Sequence, residues 1–397
     1  FVPVYFGYER IVEGPTYIGE LSGQPKEKES VSGLLRTLGR LRQRFGNVHV
    51  NFGEPIYLDK LLDRYAPDWR STVFDDQNRP PWVGALVDEL APTIMRHINS
   101  AAAVTPVNLL ALVLLATPRQ SMLETDLLRQ IDTMQSVLAA IPYGDRVTVT
   151  RQSAAQVVNY GVTMKIITRE RHPAGDIVRM SPEHAVLATY YRNNVLHLFA
   201  MPSLIACCFL ANAQLRTEDV QRLAARIYPY VAAELFMRWS EDELGGIVER
   251  ALVSLASLGL LEGGGDGAGW RRPAPTSEAA MQLSLLAQTT IQTIERYYLA
   301  IALLVRAGSG AISQKLLEER CQLMAQRMTM LYGFNSPEFF DPSLFENFID
   351  LLRARAVVRV DDSGRLLFDD VLIRVAADAQ LVLSEQIRHS ILQVTHG

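Results

Sequence analysis

The sequence has 397 residues, of which 48% are hydrophobic and 21% charged, so it is long enough for two or more globular domains. Its 39 basic and 43 acidic side chains give a net charge of −4, which excludes a global positive field that would recruit nucleic acid. Cys207, Cys208 and Cys321 form no C-x-x-C pattern, which argues against a disulfide framework or a zinc motif and is typical of a reducing cytosol.

The first segment, about residues 1–70, has a mixed α and β pattern. In the opening stretch FVPVYFGYER, Val2, Val4 and Phe6 alternate with other residues as in a strand. A strand at the very start is expected to have lost its neighbours, so we expect the C-terminal part of a longer protein. A helix that begins after Ser30 and stops at Gly46, then a strand in NVHVNFGEPI (47–56), complete the tail of an α/β domain.

The Pro-rich stretch DDQNRPPW (75–82) predicts a linker between this tail, 1–74, and a helical region, 83–397, which we expect to divide into two or three structural subunits. Helical periodicity predicts helices at 83–103, 106–116, 122–141, 182–213, 217–239, 241–259, 276–306, 311–331 and 376–394. Three short hairpins are predicted at 163–180, 260–272 and 356–368, each close behind a helix. The predicted fold class is therefore α+β, mostly α, with winged-helix-like units.

Two stretches test membrane and nucleic-acid functions. The apolar run 195–215 lacks charge, but Pro202 lies near its middle, so two short buried helices are favoured over a span. The helix SEDELGGIVERALVSLASLG (240–259), which would face DNA in a winged helix, carries four acidic residues against one arginine. The sequence thus predicts no nucleic-acid partner.

Catalytic and metal motifs are sparse. The chain has no G-x-S-x-G and no H-E-x-x-H, and its seven histidines have no metal-ligand spacing, so we predict no metal site. His49 and Glu54 read H-x4-E, but strand alternation places them on opposite faces, which predicts a partly exposed strand histidine. The glycine cluster 263–269 follows a helix, which favours a hairpin tip over a phosphate loop.

Two basic features remain as candidate binding groups. Lys26 and Lys28 precede the predicted helix cap at Ser30, where backbone amides and ammonium groups together could meet a phosphate; the alternative is a solvated loop. Arg36, Arg40 and Arg44 recur every four residues on that helix, in one stripe that could contact anionic lipid headgroups or simply face solvent.

Seven strings in order resemble the bacterial membrane-associated glycerol-3-phosphate acyltransferases over essentially the whole chain. They are VPVYFGYER (2–10), ELSGQPKEKES (20–30), VNFGEPI (50–56), APDWR (66–70), TYYRNN (189–194), AELFMRW (233–239) and PEFFD (337–341). Each string alone is weak, but their order is specific. The resemblance is to the C-terminal half of these enzymes, beginning at the fourth of four conserved acyltransferase blocks.

The resemblance implies transfer of an acyl group from acyl-CoA or acyl carrier protein to the sn-1 hydroxyl of glycerol 3-phosphate, with no cofactor. It implies a peripheral protein at the cytoplasmic face of the bacterial inner membrane, where phospholipid synthesis starts. The family's general base lies in an H-x4-D motif of the first block, which is absent here, so no catalytic residue is predicted in this chain and the chain alone is expected to be inactive.

By the same resemblance, Val2, Pro3, Val4 and Tyr5 should line the acyl or glycerol phosphate site, and Lys26 and Lys28 gain weight as phosphate ligands. For the helical region we expect packing against the acyltransferase domain, membrane association or self-association. The alternative for the whole chain is a non-catalytic module that binds a membrane or a protein partner.

Overall fold

The computed structural model describes residues 1–11, 45–71, 80–264, 269–332, 342–383, 388–389 and 391. These residues form thirteen helices: α1 (Leu58–Tyr65), α2 (Trp82–Asn99), α3 (Pro106–Leu115), α4 (Glu124–Ala140), α5 (Ala154–Thr163), α6 (Pro182–Asn193), α7 (Leu196–Ala211), α8 (Thr217–Glu234), α9 (Leu244–Ser257), α10 (Glu278–Ala307), α11 (Gln314–Tyr332), α12 (Pro342–Ala354) and α13 (Asp370–Gln380). The fold is α+β and mostly α, as the sequence predicts.

Twelve strands in the described part of the chain are short. They are β1 (Val4–Tyr8), β2 (Val48–Phe52), β3 (Ala103–Val104), β4 (Ser121–Leu123), β5 (Thr148–Val149), β6 (Ile167–Glu170), β7 (Ile177–Met180), β8 (Gln214–Leu215), β9 (Glu262–Gly263), β10 (Trp270–Arg271), β11 (Val358–Val360) and β12 (Leu366–Phe368). The pairs β6–β7, β9–β10 and β11–β12 are antiparallel and confirm the three predicted hairpins.

One connectivity occurs three times in the helical region. Each unit runs helix, strand, helix, helix, strand, strand: α3-β4-α4-α5-β6-β7, then α7-β8-α8-α9-β9-β10, then α10, Ser313, α11-α12-β11-β12. In each unit the first strand pairs with the last, as in β4-β7-β6 and β8-β10-β9; in the third unit a single bridge, Ser313 to Arg365, takes the first strand's place. This is the order of a winged helix, so units one, two and three are tandem winged-helix repeats.

The third helix of every unit ends in the same way. Lys165, Gly259 and Ala356 follow α5, α9 and α12 with φ of 57°, 72° and 55°. In each case the next amide donates back to a carbonyl five residues earlier, for example Ile166 N to Gly161 O at 2.9 Å. This is a left-handed helix end of the Schellman type, and it turns the chain into the hairpin that follows.

The core centres on α7, which packs along α10. Fourteen of the sixteen residues of α7 are buried, so the helix is enclosed on all sides. Ser203 approaches α10 closely, with its Oγ 2.6 Å from Thr290 Oγ1 and 3.1 Å from Ala287 O. The expected break at Pro202 is wrong: α7 is continuous through this proline, because burial of the surrounding apolar side chains outweighs one lost backbone hydrogen bond.

Other boundaries also differ from the prediction. The predicted helix 182–213 divides at Asn194 and Val195, where α6 ends and α7 begins. The helix predicted at 376–394 begins six residues earlier, at Asp370, and α1 and α5 are additional. The predicted helix between Ser30 and Gly46 lies outside the described residues. The division into 1–74, 75–82 and 83–397 stays a prediction.

Two ionisable groups are buried in the core without exposed surface to solvate them. His197 on α7 contacts Asn99 O at 2.9 Å through Nε2, and burial lowers its pKa to about 4. Glu295 on α10 is 1% exposed, and burial raises the pKa of its carboxyl to about 8. Glu295 is therefore mainly a neutral acid at pH 7.

No single helix of the described residues is both long and apolar enough to cross a membrane; α6 and α7 together pass such a test, but they meet at an angle of 89°.

Candidate functional site: a hairpin with an apolar outward face

The strands β1 and β2 form an antiparallel two-stranded sheet at the edge of unit one. The register pairs Val4 with Phe52, Phe6 with Val50 and Tyr8 with Val48. Because side chains alternate across a strand, these six residues share one face of the sheet, while Tyr5, Gly7, His49 and Asn51 share the other.

The first of these faces points away from the helical region. Five of its side chains are between 41% and 61% exposed, and we call them the outward face: Phe6, Tyr8, Val48, Val50 and Phe52. A sheet with one solvated face normally turns its polar side chains to water. Here the order is reversed, so the outward face is a contiguous apolar surface of the kind that packs against another protein layer.

The other face is fixed to unit one by polar contacts around Glu9. The Glu9 side chain is 1% exposed. Its Oε2 accepts hydrogen bonds from Asn47 N at 2.6 Å and from the Tyr160 hydroxyl on α5, and its Oε1 lies 3.5 Å from His49 Nε2. Burial and the Glu9 carboxylate together raise the pKa of Tyr160, which keeps the phenol protonated as a donor.

A glycine makes this cluster possible. Gly46 has φ of +72°, and a Cβ at this position would lie 2.5 Å from Glu9 Oε2 and 2.9 Å from the Tyr160 hydroxyl. Any other residue would therefore push the carboxylate away from α5 and strain the backbone. The glycine predicted to end a helix is thus also the point of closest approach between the hairpin and unit one.

Further hydrogen bonds extend the attachment along the hairpin. Asn51 Nδ2 donates to Ala101 O at 2.9 Å and to Thr148 Oγ1 at 3.0 Å. Arg10 Nη2 donates to Met164 O at 2.8 Å, at the end of α5. These contacts are short-range and directional, so they fix the orientation of the hairpin on the helical region.

The four predicted substrate-lining residues divide between the two sides of the hairpin. Val2 is 58% exposed and Val4 is half-buried. Pro3 is buried, and Tyr5 is 5% exposed with its hydroxyl 3.4 Å from Ala103 O. Burial also raises the pKa of Tyr5. Strand alternation therefore lets Val2 and Val4 face an outside ligand, whereas Pro3 and Tyr5 could shape its site only from behind.

The remaining candidates cannot be placed. Lys26, Lys28, Arg36, Arg40 and Arg44 lie outside the described residues, so their roles stay predictions. Among the residues that the structure does describe, no group of three His, Cys, Asp or Glu side chains could hold a metal ion. His49 is partly exposed, at 37% of its side chain, and its carboxylate neighbour is Glu9. The sequence gave no sign of this pair, because its members lie on different strands.

Comparison with known proteins identifies the family. A family model described as the C-terminal region of glycerol-3-phosphate acyltransferase matches residues 17–361. The chain belongs to this family. The match covers most of the helical region as well as β2, so the three winged-helix units are part of the glycerol-3-phosphate acyltransferase C-terminal region.

Curated relatives agree with the family assignment. A protein named glycerol-3-phosphate acyltransferase from Pseudomonas paraeruginosa is 45% identical over 395 residues, which are 99% of this chain and 47% of that protein. Proteins of the same name from Xanthomonas campestris and Pseudomonas putida are both 42% identical, over 100% and 99% of this chain and 45% and 48% of theirs. The chain thus spans about half the length of these relatives.

Proposed function

We propose that this chain is the C-terminal part of an acyltransferase that moves a fatty acyl group from acyl-CoA or acyl carrier protein to the sn-1 hydroxyl of glycerol 3-phosphate. The outward face of the hairpin is the observation that carries this proposal. It packs against the part of the enzyme that this chain does not include, and it places Val2 and Val4 beside the substrates there. Membership of the family and the relatives' names support the reaction class.

The chemistry needs a base that we place outside this chain. An alcohol attacks a thioester poorly unless its proton is removed as the new C–O bond forms, and an imidazole held by a carboxylate does this near neutral pH. His49 and Glu9 are an unsuitable pair for that task, because Glu9 already accepts from Asn47 and Tyr160 and lies on the inward side of the hairpin. In this proposal the helical region holds the hairpin and does not take part in bond formation.

The same proposal places the intact enzyme at the cytoplasmic face of the bacterial inner membrane as a peripheral protein. The arginine stripe Arg36, Arg40 and Arg44 would contact anionic headgroups there. Flotation of the chain on anionic vesicles tests this: charge reversal of the three arginines should release it, whereas unchanged flotation would remove the stripe from consideration.

A reconstitution experiment tests the acyltransferase proposal. The chain alone, freed of host enzyme, should not acylate labelled glycerol 3-phosphate, whereas co-expression with the preceding half of a family member should restore activity. Phe6→Asp places a charge in the centre of the outward face and should lower the restored rate at least tenfold. Val253→Asp is the matched control, because Val253 is 55% exposed on α9, away from the hairpin.

Two results would contradict the proposal. Acylation by the chain alone at a rate near that of the intact enzyme would show that it contains its own base. Equal reconstitution by the Phe6→Asp and Val253→Asp variants would show that the outward face is not the surface that meets the catalytic half.

A further inference from the structure

The three units pack in sequence, and their two junctions differ. At the first junction, α9 of unit two packs against α4 of unit one, and Ser254 Oγ donates to Ala140 O at 3.2 Å. Tyr143, which follows α4, fills the space beside this contact with its ring 5.1 Å from His197 and 4.8 Å from Trp239. The first junction is closed.

The equivalent position at the second junction is open. Here α12 of unit three packs on α10, but a cleft of about 520 Å³ separates α12 from α8 of unit two. We call it the junction cleft. Its walls carry Tyr230, Phe236, Tyr297, Phe348, Leu344 and Leu351. One repeat architecture thus leaves an apolar space where its other copy has side chains in contact.

The walls of the junction cleft are held in place from behind. The Tyr297 and Phe348 rings stack at 4.3 Å with an interplanar angle of 11°, and Tyr230 meets Phe348 edge-on at 5.4 Å. Phe236 has φ of 48°, a conformation that a bulky residue adopts only at a cost. The cleft is therefore a built feature of a packed region and not a gap between loosely placed side chains.

The charged groups around the cleft are matched within the protein. Glu234 accepts both hydrogen bonds from Arg296 Nη2, at 2.5 and 2.6 Å, and a third from the Tyr297 hydroxyl at 2.7 Å. Asp350 pairs with Arg353 at 3.1 Å. Because each carboxylate has its own guanidinium, the site presents little net charge, and an ionic ligand would gain little there that it does not already have in water.

The volume decides between classes of occupant. Pockets for small ligands span about 300–1,000 Å³, and the junction cleft falls in this range. An α-helix about 10 Å across would fill such a volume with roughly one turn, too little for a stable docked segment. The apolar walls, the matched charges and the size together fit a narrow apolar molecule.

We propose that the junction cleft binds the hydrocarbon chain of a single-chain lipid with an uncharged polar head. The chain lies against the aromatic walls, and the head stays at the mouth beside the exposed amide of Asn347. The site bridges units two and three, so occupancy stabilises their relative arrangement. It is separate from the hairpin, and its existence does not depend on the reaction proposed above.

Calorimetric titration of the full chain with decan-1-ol tests the proposal. We expect saturable one-to-one binding with a negative heat-capacity change, the mark of apolar burial. Ala354→Phe fills the mouth from an exposed position and should weaken binding at least tenfold. Ala91→Phe, at an exposed alanine on α2, is the matched control and should bind as the wild type does.

A labelling experiment locates the ligand independently of variant stability. Cys207, Cys208 and Cys321 are buried, so a thiol reagent should modify only the new side chain in Asn347→Cys. Decan-1-ol should slow this modification at least fivefold.

Absence of saturable binding, equal affinity of the Ala354→Phe and Ala91→Phe variants, or unchanged labelling of Asn347→Cys would each overturn the proposal. Self-association of the chain that Ala354→Phe abolishes would overturn it too, because a second copy would then cover the cleft.

Discussion

Glu295 should make the stability of this protein fall as the pH rises. Its carboxyl lies in the core of α10 with 1% exposure, and Oε2 has no hydrogen-bond partner among the described residues. Burial raises its pKa from 4.5 to about 8. The folded state therefore holds a proton that the unfolded chain releases above pH 4.5, so the contribution to stability is complete below pH 4.5 and is lost progressively towards pH 8.

The magnitude follows from the width of that window. Each pH unit between the two pKa values costs about 1.4 kcal/mol, so the change from pH 5 to pH 7.5 costs about 3 kcal/mol. Glu295→Gln keeps the shape and the neutral amide at all pH values. Relative to the wild type, this variant should therefore gain about 3 kcal/mol over that range.

Urea unfolding of both proteins at half-unit pH steps gives this difference directly. Glu249→Gln is the control, since Glu249 is exposed on α9 and its replacement should leave the pH profile unchanged. A free-energy difference between wild type and Glu295→Gln that stays constant from pH 5 to 7.5 would refute the reasoning, because it would mean that Glu295 has the same pKa in both states.

Two further predictions concern buried polar contacts. Tyr160→Phe removes the hydroxyl that donates to Glu9 and should lower the free energy of unfolding by about 1–3 kcal/mol, whereas Tyr8→Phe on the outward face should change it by less than about 0.5 kcal/mol. Equal effects in urea unfolding would show that the Glu9 contact does not hold the hairpin. Glu234→Ala takes the carboxylate from Arg296, which is 2% exposed, and should cost about 3 kcal/mol; a thermal midpoint within 1 °C of the wild type would contradict this estimate.

The hairpins were predictable because their turns carry a local signal. The tips at 171–176 and 361–364 contain the Gly, Pro, Asp and Ser residues that turns require, between runs of β-branched and aliphatic residues. The threefold repeat was suspected from these hairpins but had no clear sequence repeat. Its first strands are only one to three residues long, which is too short for alternation to be visible.

A faint repeat is visible once the structure shows where to look. The residue with positive φ after each third helix is followed by two aliphatic residues: KII at 165–167, GLL at 259–261 and AVV at 356–358. Only one of the three has the glycine that normally marks such a helix end. Lysine and alanine occupy the other two positions because burial of the following residues, such as Ile167 at 2%, offsets the strain.

The candidate site was predictable in part. Alternation in FVPVYFGYER indicated the strand, but it did not show which face would be covered. Apolar residues on a strand are normally expected to point into the protein's own core, whereas here Phe6 and Val50 point outward. The contact between Glu9 and Tyr160 joins residues 151 positions apart, and no local pattern carries that information.

The polar attachment of the hairpin has a consequence for assembly. Ordering one residue costs about 1–2 kcal/mol of backbone entropy, and the two strands contain five residues each. An isolated two-stranded sheet is marginal in water, so on its own it would have to be ordered at the moment of contact. Hydrogen bonds from Glu9, Arg10 and Asn51 meet that cost within the chain, and the apolar surface is presented already rigid. A partner layer would then bind a preorganised template, with nearly all of the apolar contact appearing as affinity.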